Sequence, residues 1–406
     1  MQLLATAADY FAVMMAITLP WSTTLFAVFA SAWAISLVPT VDISALGQFL
    51  KRPLCALPIS LFVLAVVGMS WSEATLGTRL HAAGSLIKLL ALPLLVYQFQ
   101  RSGLGLRIFG AFLGSCTVLM ILSWLNWIDP RFALIPVRAV GVPVKNWITQ
   151  GQEFVLCFFG AVAFAIILWR SHRPLLSVSV GLLGLAFLLN LTFVVSSRTA
   201  LISLAVLLPV LTVRYLSTRW LLAVMCLAAL AFGALWSESS YFRMRFNMIG
   251  DQYGLYVEKN QLTSVGLRLE YWRKSVGYIE NAPLIGNGTG SIRRLFEKDA
   301  ADKSLAPDAV TANPHNQTLY FGVEWGILGV TLLFAMWIAH LLMFTEVRWV
   351  SWIGLLVVAQ NIIGSVFNSH ISDSVEGWLY VMGVGIAAGT ISNEKTKNSL
   401  FAERAD

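Results

Sequence analysis

The stretch QTLYFGVEWGILGVTLLFAMWIAHLLMF, residues 317–344, decides the fold class. A helix needs about 20 mostly apolar residues to cross a bilayer, because lipid offers no hydrogen bonds to an exposed backbone. This run exceeds that length, and comparable runs recur along the chain. They lie near 5–19, 22–38, 54–71, 82–99, 104–126, 153–169, 174–195, 199–213, 218–235, 349–367 and 375–391. The sequence therefore predicts an all-α polytopic membrane protein with about twelve transmembrane helices.

The composition excludes most soluble classes of protein. The 406 residues are 57% hydrophobic and only 12% charged, and the mean hydropathy is +0.73. A soluble domain has about 25% charged residues, so this charge cannot cover a globular surface. An ordinary soluble enzyme, a disordered chain and a secreted disulfide scaffold are excluded. The net charge of +7 does not indicate a nucleic-acid partner, because most basic residues lie in short loops, where they set orientation in the membrane lipid.

Loop charges and loop lengths predict the topology. With a cytoplasmic N-terminus, the short cytoplasmic loops carry most of the lysines and arginines, as the positive-inside bias requires. We therefore predict a transmembrane bundle of about nine spans over 1–235, an outer loop subdomain over 236–316, three spans over 317–391 and a cytoplasmic tail over 392–406. We expect no cleavable signal peptide, because the N-terminus lacks a basic segment before its first apolar run.

The outer loop contains one clear amphipathic pattern. Over residues 264–280, Leu269, Trp272 and Val276 recur at helical spacing. This spacing predicts an amphipathic helix that lies on the bundle or at the membrane interface.

Four basic residues on the predicted outer side are candidate substrate ligands. Arg198 lies in a tight turn between two spans, where a basic residue runs against the charge bias and is often functional. Arg138 and Lys145 lie in an outer loop, and Arg268 lies on the amphipathic helix. Snorkelling or a surface ion pair is the plain structural alternative for each of them. A cluster of such cations would suit a diphosphate, which arginine binds through paired N–H groups.

Three histidines, His81, His315 and His370, are predicted to face the same side, and two of them are candidates for chemistry. His315, in the sequence NPHN, lies where the long loop enters a span, and a neutral histidine there could act as a general base on a sugar hydroxyl. The preceding Asn-Pro pair also resembles a helix start, and the two roles are compatible. His370, in NSHISD, could form an orienting pair with Asp373, although a polar loop between two spans needs no such function.

The remaining motifs give weaker signals. The turn GNGTGS, residues 286–291, could cradle a phosphate with its amides, but a glycine-rich run is also an ordinary turn. The chain contains no HExxH or GxxxxGK[ST] motif and no DxD pair in its outer region, and its four cysteines fall inside predicted spans. We therefore expect no metal site, no cofactor and no disulfide.

Several of these segments together resemble one known family. The run HNQTLYFGVEWGILG, residues 315–329, resembles the His-[Asn/Ser/Gln]-x9-Gly-x2-Gly signature of bacterial O-antigen ligases. SRTA at 197–200 and NAPLIGNGTG at 281–290 are similar to the SRxA and NxPLxGxG segments of the wider ligase and polymerase superfamily. Arg268, with Trp272 four residues later, resembles the second arginine on the outer-loop helix. The resemblance extends over essentially the whole chain.

The resemblance implies a specific reaction. Such ligases move a glycan from undecaprenyl diphosphate to the outer sugar of lipid A–core at the periplasmic face of the bacterial inner membrane, which completes lipopolysaccharide. The fold is expected to be similar to the metal-independent, GT-C-like glycosyltransferases, and the reaction inverts the anomeric centre. By position, Arg198 and Arg268 would hold the diphosphate, and His315 would activate or position the acceptor hydroxyl. Candidate further substrate contacts are Arg138, Lys145, Asn316 and His370.

Other functions remain open from the sequence. An O-antigen polymerase would use the same donor with a lipid-linked repeat as acceptor, and the histidine motif favours the ligase over it. An oligosaccharide transferase acting on a protein often carries a larger outer region. A lipid-linked glycan flippase would need the cationic cavity but not a histidine at its outer mouth. A purely structural membrane scaffold would explain neither the outer arginines nor the signature.

Overall fold

The computed structural model describes residues 1–135, 140–195, 197–238, 240–259, 261, 263–303 and 310–402. Within those ranges every regular element is a helix. Short 3-10 turns occur at Val38–Thr40, Gly68–Ser70, Ile87–Leu90 and Pro130–Phe132. The α-helices are α1 Gln2–Thr18, α2 Thr23–Leu37, α3 Ile43–Leu50, α4 Pro53–Val67, α5 Leu76–Gly84, α6 Ala91–Phe99, α7 Gly105–Ile128, α8 Trp147–Arg170, α9 Pro174–Phe193, α10 Arg198–Tyr215, α11 Thr218–Glu238, α12 Ser240–Lys259, α13 Ser264–Asn281, α14 Ser291–Lys303, α15 Gln317–Met343, α16 Trp349–Ser365 and α17 Ser374–Ala402.

Ten of these helical segments, within the described residues, are long and apolar enough to cross a membrane. They are Thr23–Thr40, Pro53–Ser70, Leu76–Phe99, Gly105–Ile128, Trp147–Arg170, Pro174–Phe193, Arg198–Tyr215, Thr218–Glu238, Gln317–Met343 and Ser374–Glu394. The two shorter apolar helices α1 and α16 coincide with the other two predicted spans. The prediction of an all-α polytopic membrane protein is therefore confirmed. Because α17 continues to Ala402, no break in the helix marks the predicted start of the tail at residue 392.

The span predicted over 82–99 is interrupted. Helix α5 ends at Gly84, a 3-10 turn covers Ile87–Leu90, and α6 follows. Pro93 has no N–H to donate to the carbonyl of Leu89, and its ring crowds that carbonyl, which disfavours regular helix across Leu89 but is tolerated in the first turn of α6, where Pro93 lies. Within the turn, Lys88 is 4% exposed and donates hydrogen bonds to the carbonyl oxygens of Ser372 (3.2 Å) and Asp373. The break therefore directs a buried cation toward the loop between α16 and α17.

Helix α13 is the amphipathic helix predicted over 264–280, but the buried face differs from the predicted one. Val276 is 46% exposed, whereas Tyr271 and Lys274 are buried. Lys274 Nζ lies 2.5 Å from a carboxylate oxygen of Asp299 on α14, and the ring of Tyr271 packs edge-on against Phe296. The ion pair offsets the cost of burying the lysine. Apolar periodicity alone does not predict a buried lysine on this face.

Helix α15 contains a break at the first glycine of its signature. Gly326 has φ 59° and ψ −151°, and a Cβ there would lie 2.5 Å from the carbonyl carbon of Leu284. Only glycine tolerates both the backbone conformation and this approach. The amide freed by the break, that of Ile327, donates to the carbonyl of Pro283 (2.8 Å). The helix break therefore explains why the signature has a glycine at position 326.

Candidate functional site

The glycine-rich turn at 286–290 binds α15. The amides of Asn287 and Gly288 donate to the carbonyls of Val323 (2.9 Å) and Glu324 (2.8 Å), and the amide of Gly290 donates to Glu324 Oε1 (2.8 Å). Amides that are already donated to protein acceptors cannot cradle a phosphate. The ordinary-turn interpretation of GNGTGS therefore fits the structure, and the phosphate cradle does not.

The loop before α15 holds His315 in an uncommon backbone conformation. His315 has φ 55°, a left-handed conformation that costs a non-glycine residue about 1–3 kcal/mol. The surroundings enforce it: Asn313 Oδ1 accepts hydrogen bonds from the amide of His315 (2.8 Å) and from the hydroxyl of Ser369 (2.7 Å). Asn316 Oδ1 caps α15 by accepting from the Leu319 amide (3.0 Å), and its Nδ2 donates to the Val366 carbonyl (3.1 Å). Such enforced strain is typical of functional positions.

The imidazole of His315 is oriented on two sides. Its Nδ1 lies 2.8 Å from Asn368 Oδ1, and Asn368 Nδ2 donates to Asp373 Oδ2 at 2.8 Å. The ring stacks on Tyr271 of α13, with centroids 6.3 Å apart and planes at 28°. Among the described residues, none hydrogen-bonds to its Nε2. The side chain is half-buried, so one ring nitrogen is held by the protein and the other is left for a ligand.

Helix α13 brings Arg268 to the same place. Trp272 Nε1 donates to the carbonyl of Pro314 (3.1 Å), next to His315, and Tyr271 stacks on the imidazole. Residues three and four apart share one face of a helix. Arg268, three and four residues before these two, therefore lies one turn along α13 from the His315 loop.

Arg198, the first residue of α10, lies close to Arg268. Burial, and then the positive charge of Arg198, lower the pKa of the Arg268 guanidinium. Arginine stays protonated in proteins, so two half-buried cations repel each other here. The turn before α10 sits tightly on α8, because a Cβ at Gly151 would lie 3.0 Å from Cβ of Ser197. An anion between the two guanidinium groups would relieve their repulsion.

Lys145 lies near the buried carboxyl group of Glu153 and the half-buried one of Glu376. Its Nζ donates to the carbonyl of Leu19, and burial lowers the pKa of its ammonium while the carboxylates of Glu153 and Glu376 oppose that shift. Glu376 is itself fixed by a hydrogen bond from the hydroxyl of Thr149 (2.6 Å). Lys145 is thus engaged by groups of the protein itself, and its role as a substrate contact stays a prediction. Arg138 lies outside the described residues.

His370 is a buried residue of the α16–α17 loop. It is 1% exposed and packs against Gly364, where a Cβ would lie 2.2 Å from its Cδ2. Its Nδ1 is 3.6 Å from Asp373 Oδ2, which is too long for a hydrogen bond. The predicted substrate contact of His370 stays a prediction, and so does that of Asn316. Because Asn368 donates to Asp373 instead, the orienting contact of this loop belongs to a residue that sequence reasoning missed.

The same loop contributes to a group of potential metal ligands. Within the described residues, His370, Asp373 and Glu376 each offer one ligand atom, and these atoms lie within 4.8 Å of one another. Asp373 already accepts from Asn368, Glu376 accepts from Thr149, and the Lys88 ammonium donates to the Asp373 carbonyl. A cation of the protein itself therefore occupies this neighbourhood. The expectation of no metal stays a prediction.

Comparisons with known proteins point to one family. Residues 183–334 match a family model described as O-antigen ligase, and this range includes Arg198, Arg268 and His315. An uncharacterized protein of Haemophilus influenzae is 24% identical over 122 residues, which are 29% of this chain and 31% of that protein. The chain thus matches about a third of that relative's length.

Proposed function

The chain belongs, through residues 183–334, to the O-antigen ligase/polymerase superfamily, and on that premise we propose that it is an O-antigen ligase. The proposed enzyme is a GT-C-like glycosyltransferase of the bacterial inner membrane whose site faces the periplasm. It transfers a glycan from undecaprenyl diphosphate to the outer sugar of lipid A–core. One observation carries the proposal: Arg268, on which the positive charge of Arg198 acts, lies one helical turn from a loop that presents an oriented histidine.

The arginine pair suits the donor. A diphosphate matches the planar donor fork of a guanidinium, and its charge offsets the repulsion between Arg198 and Arg268. When the bond from the anomeric carbon to the diphosphate breaks, negative charge grows on the departing oxygen. Fixed donors at that oxygen stabilise the transition state, and one such donor contributes a factor of roughly 10²–10³ in rate. The pair supplies the charge that a divalent cation supplies in other glycosyltransferases, so the proposed step requires no metal.

His315 suits the acceptor. In the proposed step a sugar hydroxyl gives its proton to Nε2 of His315, and the oxygen lone pair forms a bond to the anomeric carbon. The bond to the diphosphate breaks on the opposite face, and its electron pair stays on the phosphate oxygen. Attack opposite the leaving group inverts the anomeric centre. General base catalysis of this kind contributes a factor of about 10²–10⁴.

The side of the membrane on which the proposed site lies follows from the helix ends at which Arg198 and His315 are found. Arg198 begins α10 and His315 immediately precedes α15, so both stand at the N-terminal ends of apolar helices. With cytoplasmic termini, these ends and the segment 236–316 lie in the periplasm. That side is where lipid-linked donor and lipid A–core are both accessible in the proposed reaction.

The test uses purified protein with a synthetic undecaprenyl-diphosphate glycan and lipid A–core, in chelator and without nucleotide. We expect a gel shift of the lipopolysaccharide band with the wild type and with the control Arg131→Ala, and none with His315→Ala. Arg131 is a suitable control because its side chain is 91% exposed and pairs with Asp129. Donor consumed into longer lipid-linked chains would replace the ligase by a polymerase. Unconsumed donor would overturn the transferase and favour a flippase.

A further inference from the structure

We infer that Asn368, held by Asp373, is a positioning residue that fixes the tautomer of His315 and leaves Nε2 as the proton acceptor. The inference rests on the proposed function, because a general base is needed only if a hydroxyl is activated at this site. It assigns a role to two further residues, because Asp373 hydrogen-bonds to Asn368 and Asn368 hydrogen-bonds to the proposed base.

The first step is the orientation of the Asn368 amide. An ionised carboxylate can only accept hydrogen bonds. The atom of Asn368 that lies 2.8 Å from Asp373 Oδ2 must therefore be the NH₂ group. The carbonyl oxygen of the amide then faces His315, 2.8 Å from Nδ1. Asp373 thus resolves an amide orientation that would otherwise be open.

The second step transfers this orientation to the imidazole. The Oδ1 of Asn368 accepts only, so Nδ1 of His315 must carry the hydrogen. A neutral imidazole has one N–H, and the lone pair is therefore on Nε2, the nitrogen that faces away from Asn368. In the transfer step the hydroxyl proton goes to Nε2 while the Nδ1–H remains on Asn368. No proton passes to Asp373.

The third step is rigidity, since a tautomer is fixed only if its partner cannot turn away. Gln317 Oε1, in the first turn of α15, accepts from the amides of Ile371 (2.8 Å) and Ser372 (3.3 Å). The Lys88 ammonium holds the carbonyls of Ser372 and Asp373 from the other side. The loop that carries the positioning pair is therefore fastened to the helix that His315 precedes.

The choice of an amide has a chemical consequence. A carboxylate placed directly at Nδ1 would also orient the ring, but it would favour the imidazolium, which has no lone pair to accept a proton. Asn368 orients the ring without adding a charge beside it. The carboxylate of Asp373 is separated from the imidazole by the Asn368 side chain.

Two variants of Asn368 test the inference in the gel-shift assay, with rates measured against acceptor concentration and pH. Asn368→Leu keeps the volume but removes the acceptor for Nδ1–H. We expect a loss of roughly 10- to 100-fold in kcat, the range typical when a residue that orients a functional histidine is removed, with KM little changed. Asn368→Asp alone would put a second carboxyl oxygen 2.8 Å from Asp373 Oδ2, and the two groups would share a proton. The second variant therefore combines Asn368→Asp with Asp373→Asn, which keeps the hydrogen bond between the two side chains and places one carboxylate at Nδ1. We expect the acidic limb of its rate profile to move upward by about one pH unit or more.

The groups that face His315 limit other causes of such a pH shift. They are Tyr271 stacked on the ring, Arg268 one turn away along α13 and Asp373 behind Asn368. Asn393→Leu is the matched control, since it removes a buried amide that donates to the Ser102 carbonyl (3.2 Å) at the other end of α17. It should leave kcat and the pH limb of the folded protein at wild-type values.

The outcomes separate this inference from the proposed function. Wild-type kcat in Asn368→Leu, or an acidic limb that stays in place in the Asn368→Asp, Asp373→Asn double variant, overturns the positioning role while the ligase stands. Absence of transfer in the wild type overturns the proposed function itself. If Asn368→Leu does not fold, the isosteric double variant Asn368→Asp, Asp373→Asn decides alone through its pH profile.

Discussion

Two irregular segments pack against α15, and they use their polar groups in opposite ways. In the glycine turn at 286–290, the amides of Asn287, Gly288 and Gly290 donate hydrogen bonds to the α15 backbone and to the Glu324 side chain. The loop at 313–316 uses its backbone and asparagine groups in hydrogen bonds within the loop, to the start of α15 and to residues 366–369. One imidazole nitrogen of His315 is not used in these bonds. Both segments resemble ligand-binding loops in sequence. The difference shows that a structural turn and a ligand site are distinguished by whether their polar groups are already hydrogen-bonded to the protein. The number of glycines or asparagines does not distinguish them.

The comparison predicts the largest loss of activity at His315. His315→Ala should lower the rate of glycan transfer by about 10²–10⁴, the contribution of a general base, because the hydroxyl loses its proton acceptor. Donor binding and the unfolding temperature should stay near wild type. Transfer at a wild-type rate in this variant would remove His315 from the chemistry and break the comparison.

The arginines should give the next largest effect. Arg198→Ala and Arg268→Ala should each lower the rate by roughly 10²–10³, and unlike His315→Ala they should also weaken binding of the diphosphate donor. Arg198→Lys should restore only part of the rate, since lysine lacks the planar fork. Rates and donor affinity measured in parallel check this, and full rescue by lysine would mean that the site reads charge alone.

The glycine turn should affect stability and not chemistry. Gly288 has φ +85°, and a Cβ there would lie 2.6 Å from Cα of Ser72. Gly288→Ala should therefore destabilise the fold by about 1–3 kcal/mol, with an unchanged rate per folded molecule. Thermal unfolding measures the loss. Gly277→Ala on α13, where a Cβ meets nothing within 4 Å, is the matched control and should not lower the unfolding temperature.

The smallest expected effect concerns the scaffold beside Arg268. A hydrogen bond from Arg273 lowers the pKa of Glu270 below its ordinary value of 4.5. A carboxylate with a depressed pKa in the folded state adds stability above its unfolded pKa, and this stability is lost as the pH falls through the folded value. Glu270→Gln should make acid destabilisation below about pH 4.5 slightly shallower. An identical decline of unfolding temperature with pH in both proteins would contradict this.

The sequence predicted much of the fold because membrane spans follow from local hydropathy. The ten long apolar segments and the two shorter helices coincide with the predicted runs, since a bilayer selects helices by length and polarity alone. The exceptions need information from outside the segment. Pro93 interrupts a span at a place where Lys88 meets the α16–α17 loop, and α13 buries a lysine because Asp299 on another helix pairs with it.

For the site, the sequence pointed to residue types and the structure supplied their partners. The signature indicated His315, and the turn before α10 and the loop helix indicated Arg198 and Arg268, which the structure brings near one another. In the α16–α17 loop, sequence reasoning chose His370, because histidine is the reactive type there. The contact to His315 comes from Asn368, 53 residues along the chain.

The sequence by itself determined that this protein crosses a membrane many times and that its residues 183–334 resemble the O-antigen ligase family, because hydropathy and motif spacing are properties of contiguous residues. Only the tertiary structure decided which glycine amides are already used, which ring nitrogen of His315 is held and which asparagine holds it. Those facts depend on hydrogen bonds between segments far apart in the chain, whose register is set by helix packing and not by any local pattern.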